Sequence, residues 1–191
     1  MLLITGLGNP GVEYATTRHN AGFMVVEAVR QAFGLPAWSN KFKGLVSKGK
    51  IGPHDVVLLM PQTYMNLSGE SVQPALAFYK LPPANLLVVH DEIDIPVGEM
   101  KYKVGGGDAG HNGLKSITKM LGSPNYARLR MGVGRPAAQR GEVVNHVLGT
   151  FGNDEFDALA ANIEWLIDAM PGFLDDPQKV LSRKPKGVQP S

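Results

Sequence analysis

Apolar residues fall along the chain in two rhythms, short continuous runs and longer stretches spaced by threes and fours. Leu2-Leu3-Ile4 is a run closed by Gly6 and reads as a buried strand. Phe23, Val26, Ala28, Val29 and Phe33 then keep helical spacing, and Gly34-Leu35-Pro36 marks the turn after them. Residues 45–50 and 56–60 predict two strands of a hairpin turning at Gly52-Pro53. The polar stretch 61–69, with Ser68 as the expected cap, leads into a helix through Val72, Ala75, Leu76 and Tyr79 that ends at Leu81-Pro82-Pro83. Residues 86–89 form the clearest buried strand and deliver His90-Asp91-Glu92 at its end. A strand near 100–104, a glycine-rich loop, a helix near 114–120 and an alternating strand at 128–133 follow. The most amphipathic helix runs from Asp154, its expected cap, to Ala169 before Pro171-Gly172.

Strands interleaved with helices, without repeat or linker, predict one α/β domain over residues 1–184 and a frayed tail at 185–191. The sheet is expected to be mixed, because the hairpin is antiparallel while strand–helix–strand units favour parallel pairing. The 191 residues suffice for a single substantial core, and 43% hydrophobic with 19% charged residues is an ordinary globular balance. With no cysteine, disulfides, zinc-thiolate sites and thiol nucleophiles are all excluded. The apolar start is a few residues long without a basic leader, and no run reaches membrane-spanning length, so a cytoplasmic location is the expectation.

The net charge of +2 conceals an asymmetry. Residues 101–140 carry eight basic side chains (Lys101, Lys103, Lys115, Lys119, Arg128, Arg130, Arg135, Arg140) against Asp108 alone, whereas 153–176 hold seven acids and no Lys or Arg. The first region suits a polyanion; the second reads as a solvated acidic face.

Gly6-Leu7-Gly8-Asn9-Pro10-Gly11 matches the dinucleotide pattern, but the context fails. Helical periodicity begins too late, and the acid at the right distance, Glu27, lies inside the helix. Three loops instead hold the candidate chemistry: 6–19, 61–68 and 105–112. Each follows a strand, and with Asp91 they are expected to converge at one sheet edge, bringing together Asn9, His19, Asn66, Asp91, His111 and Asn112. A His and an Asp on separate elements fit a base whose second ring nitrogen is held by a carboxylate. Asparagine amides suit a neutral polar substrate. Ser68 lacks the nucleophile-elbow context, and no His/Asp/Glu cluster has metal-ligand spacing. His54 and His146 read as structural. What remains is a base acting on water, the chemistry of ester hydrolysis.

Four motifs in order, GLGNPG-x-x-Y-x-x-TRHN-x-GF, PQTYMNLSG, HDEID and GGG-x-x-GHNGLKSI, resemble the bacterial-type peptidyl-tRNA hydrolase family over roughly residues 3–149. The resemblance implies a single α/β/α domain with a mixed, mostly parallel sheet and helices on both faces. It implies a monomer without metal or cofactor that cleaves the ester between peptide and tRNA. His19 becomes the general base, supported by Asp91. Asn9 becomes the discriminator of N-blocked substrates, accepting from the acylated amide. Asn66 and Asn112 bind near the ester, and Tyr14 and Tyr64 line the same cleft. Lys103 and Arg130 hold a tRNA phosphate. The segment after Gly149 is the expected lid, and Asp108-Ala109 departs from the family pattern, an acid that would weaken RNA contact. A non-catalytic RNA-binding relative is disfavoured because His19, Asp91 and the asparagines are all present. An esterase for small substrates is disfavoured by the basic stretch.

Overall fold

The computed structural model describes residues 1–136 and 142–185; Arg140 and residues 186–191 lie outside them. Seven strands form one sheet: β1 (Leu2–Gly6), β2 (Ser39–Lys41), β3 (Gly44–Ile51), β4 (His54–Pro61), β5 (Leu86–Glu92), β6 (Met100–Val104) and β7 (Ala127–Gly132). Their order is β2-β3-β4-β1-β5-β7-β6. The central β4, β1, β5 and β7 are parallel, while the β3–β4 hairpin, β2 and β6 pair antiparallel. Six helices complete the described chain: α1 (Ala21–Ala32), α2 (Gly69–Tyr79), α3 (Asn112–Leu121), α4 (Val143–Leu148), α5 (Asn153–Asp175) and α6 (Pro177–Ser182). None is long and apolar enough to cross a membrane.

Side-chain alternation splits the core in two. Ile4, Val56, Leu58, Leu87, Val89, Leu129 and Met131 face α1 and α5. Leu3, Val57, Leu59, Leu86 and Val88 face α2 and α3. Chain connections diverge at the C-terminal ends of neighbouring β1 and β5, where β1 leads back to β4 and β5 onward to β7. A crevice opens at such a switch point.

Two glycines set its width. A Cβ on Gly22 would lie 2.3 Å from the Val89 carbonyl oxygen, and one on Gly6 2.2 Å from the Gly22 oxygen. The glycines of the first motif thus let α1 press onto the ends of β1 and β5, rather than cradling a nucleotide.

Several expectations change. Ser68 precedes α2, but its hydroxyl turns back to donate to the Met65 carbonyl (2.7 Å). The Gly69 N–H is accepted instead by Ser116 Oγ of α3, at 2.9 Å. α5 is capped not by Asp154 but by its neighbour, since Glu155 Oε2 accepts from the Gly152 N–H (2.7 Å). Nor does Pro171 stop α5. Met170 and Phe173 are buried beside it, and the core contact of Phe173 with Tyr102 carries the helix through the lost bond. The short elements β2, α4 and α6 are additions to the expected order.

Candidate active site

Asp91, near the end of β5, is fully enclosed and accepts from both sides. His19 Nδ1 lies 3.0 and 2.9 Å from its two oxygens, and His111 Nε2 lies 2.8 Å from Oδ1. His19 comes from the turn Arg18–Asn20 just before α1; His111 is the N-cap of α3. His111 Nδ1 accepts from the Gly113 and Leu114 N–H groups, at 3.1 and 3.4 Å, so the ring proton sits on Nε2 and points at Asp91. Burial by itself would raise the Asp91 pKa. The imidazoles of His111 and His19 outweigh it and hold the carboxyl well below the usual carboxylate range. A carboxylate bonded to Nδ1 leaves His19 Nε2 as a bare lone pair.

His19, Asp91 and His111 are also a group whose ligand atoms lie within 4.8 Å of one another, which their spacing in sequence does not reveal. His111 nevertheless donates from the nitrogen a cation would need. The arrangement fits a hydrogen-bonded dyad with a second donor better than a metal centre.

His19, Asp91, Glu92, His111 and Asn112 line a cleft of about 560 Å³, and Val143, Val144 and Val147 of α4 border it. The segment bordering the cleft is therefore α4, upstream of Gly149. The expected lid after Gly149 is not seen, because α5 and α6 pack against the core beside α1 and β6. Arg18 fastens the two parts. It donates to the His146 carbonyl (3.1 Å) and to both oxygens of Glu155 (3.2 and 2.6 Å). The Arg18 N–H bonds the Gly149 carbonyl at 3.0 Å.

Asn9 is held differently from expectation. Asn20 clamps its backbone, Oδ1 accepting from the Asn9 N–H (2.9 Å) and Nδ2 donating to its carbonyl (3.0 Å). Asn9 Oδ1 accepts from the Met65 N–H at 2.8 Å. A backbone N–H can only donate, so the side-chain acceptor is occupied and the group left for a ligand is the NH2 donor. Asn9 borders a second cleft of about 350 Å³ with Phe23, Met24, Leu45 and Met60. Asn66 lies on the turn Met65–Leu67 fastened by Asn9, and Asn112 begins α3; both are exposed. Tyr14 and Tyr64 do not line the cleft with His19; Tyr64 is 59% exposed and Tyr14 half-buried.

The loop 105–112 also reaches the site by another route. β6 is antiparallel to β7 and ends at the far edge, so the loop must climb back to bring His111 to Asp91. Arg128 holds that climb. It is 1% exposed and donates to the carbonyls of Gly107 (2.7 Å) and Gly106 (3.0 Å), so it leaves the expected basic surface. Arg135 is paired with Asp94 at 2.6 Å. Register puts Lys101 opposite Arg130 and Lys103 opposite Arg128, all on the α3 face. Lys101, Lys103 and Arg130 remain on that face, with Arg130 one residue short of Asp91 in the β5–β7 register. His54 pairs with Asp175 and His146 with the Val133 carbonyl, both structural.

Residues 3–188 match the family model described as peptidyl-tRNA hydrolase. Peptidyl-tRNA hydrolases of Granulibacter bethesdensis and Bdellovibrio bacteriovorus are each 49% identical, over 90% and 92% of this chain and 88% and 94% of their own lengths. The crystal structure of peptidyl-tRNA hydrolase from Acinetobacter baumannii superposes with a TM-score of 0.90 at 39% identity, covering 98% of this chain and 97% of that one. The chain belongs to the peptidyl-tRNA hydrolase family.

Proposed function

We propose that His19 is the general base of a hydrolase that cleaves the ester between tRNA and a peptide, or another N-blocked aminoacyl group. The observation that carries this is the bond from His19 Nδ1 to Asp91, which leaves Nε2 bare at a cleft. Nε2 takes a proton from water as the oxygen attacks the ester carbonyl carbon. The Asp91 carboxylate stabilises the imidazolium and fixes the tautomer. Asn112, at the positive end of α3, donates to the developing oxyanion. Collapse breaks the bond to the tRNA 3′ oxygen, which takes the proton back from His19, giving free tRNA and a peptide carboxylic acid that ionises to solvent.

Asn9 selects by donating. An N-blocking acyl group brings a carbonyl that accepts from Asn9 Nδ2, whereas a free α-ammonium is itself a donor and leaves that amide unpaired. Asn66, on the turn that Asn9 fastens, binds the substrate near the ester, and Lys103 with Arg130 holds a tRNA phosphate. Tyr14 and Tyr64 are given no part. In this reading the enzyme acts as a monomer, uses His19 in place of a metal or cofactor, and works on tRNA in the cytoplasm.

The test is turnover of three esters: N-acetyl-aminoacyl-tRNA, the free aminoacyl-tRNA and a small ester without RNA. The acetylated tRNA ester should be cleaved far faster than either of the others. Comparable rates on the small ester would make the protein a general esterase.

A further inference from the structure

His90 lies on the opposite side of β5 from Asp91 and is 1% exposed. Its Nδ1 is 2.7 Å from the Asp91 carbonyl, which can only accept, so the ring proton is on Nδ1 and Nε2 is a bare acceptor. The ring stands edge-on to His111, with centroids 5.0 Å apart. Nε2 has no hydrogen-bond partner among the described residues, nor do two buried donors, Arg128 Nε and Arg130 Nε. The three residues share one face of the sheet. His90 is the register partner of Arg130 across β5 and β7, and alternation places Arg128, Arg130 and His90 on the same face. The outer nitrogens of Arg128 are committed to the loop carbonyls. Arg130 is half-exposed although its Nε is buried, so its free nitrogens are the terminal pair.

We propose that His90 is a positioning residue for Arg130, its Nε2 linked to the Arg130 Nε–H through one bridging water, so that the terminal guanidinium nitrogens are presented as a fork to a tRNA phosphate. This rests on the reading of Arg130 as a phosphate ligand. Imidazole suits the task because it orients without neutralising. A carboxylate would grip the guanidinium harder but cancel the charge the phosphate needs. Burial, followed by the neighbouring His111, pushes the His90 pKa down to about 3, so the acceptor persists wherever the enzyme works.

Two substitutions divide the ring. His90→Asn keeps a donor near the Nδ1 position but has no atom to meet Arg130; His90→Gln places its amide oxygen near Nε2. With N-acetyl-aminoacyl-tRNA, His90→Asn should raise KM roughly tenfold while kcat holds, the scale of one hydrogen bond to a charged group. His90→Gln should recover most of that loss. On an Arg130→Lys background, which has no donor at the Nε position, His90→Asn should add nothing further. Arg130→Ala is the reference. If it leaves KM unchanged, the phosphate reading fails and this inference with it. If it raises KM while His90→Asn does not, or His90→Asn lowers kcat instead, the positioning role alone is overturned. In unsubstituted His90, the 15N resonance of Nε2 should be that of an unprotonated acceptor and should move in Arg130→Lys. A resonance that stays put refutes the contact without altering His90.

Discussion

Asn9→Asp separates a donor from an acceptor at nearly constant shape. In the native site Oδ1 is committed to the Met65 N–H, and Asn20 holds the Asn9 backbone whatever its side chain. The aspartate can still accept from Met65, but it faces the substrate with an oxygen. For the acetylated substrate this removes a donor from the acyl carbonyl, a loss of about 1.5 kcal/mol. For the free aminoacyl substrate it offers a carboxylate to the α-ammonium, a gain of similar size, about 1.5 kcal/mol. The two move selectivity the same way. The ratio of kcat/KM for acetylated over free aminoacyl-tRNA should fall roughly a hundredfold, since 1.36 kcal/mol is about a factor of ten. The assay is release of deacylated tRNA from each ester by wild type and variant in parallel. Asn9→Ala should lose selectivity less steeply, and should also lose about 1–3 kcal/mol of stability because the Met65 N–H is left unpaired. If Asn9→Asp keeps or improves turnover of the acetylated ester, Asn9 faces the substrate as an acceptor and not as a donor.

Acid stability follows from His90. Its folded pKa is lowered from 6.5 to about 3, so between those values the unfolded chain binds a proton that the folded chain does not. That contribution is complete above pH 6.5 and is lost as pH falls, with a slope approaching about 1.4 kcal/mol per pH unit. His90→Asn should flatten the dependence of the urea midpoint between pH 6 and 4.5; an unchanged slope would mean that His90 titrates normally. Gly22→Ala should destabilise by about 1–3 kcal/mol or more, because the new Cβ would meet the Val89 carbonyl at 2.3 Å; a wild-type melting temperature would show that α1 can retreat freely. Lys103→Ala should weaken tRNA binding and reduce its logarithmic salt slope by somewhat under about one. An unaltered slope would take Lys103 off the phosphate.

The sheet and its main helices were legible because burial imposes periodicity, and periodicity survives in a linear string. β5 is apolar from Leu86 to Val89 because both faces are covered, and α1 keeps its spacing because one side meets the core. The pairing of His19 with Asp91 was legible from two residue types, one in the loop after β1 and one at the end of β5. What lay hidden depends on partners remote in sequence. Ser116 caps α2 across a helix–helix contact. Arg128 looks like surface charge in an alternating strand until the loop 105–107 folds over it. The donor character of Asn9 is set by the Met65 N–H, 56 residues away. Pro171 signals a stop that the burial of Phe173 overrides.

The chemistry turns on His19. His19→Ala, assayed with N-acetyl-aminoacyl-tRNA for both turnover and binding in the same preparation, should lose about 10²–10⁴ in kcat, the contribution of a positioned general base. Its affinity for tRNA should stay near that of wild type, since Lys103 and Arg130 lie on another face of the sheet. A variant that keeps more than about a tenth of the wild-type rate would leave no room for a general base at His19.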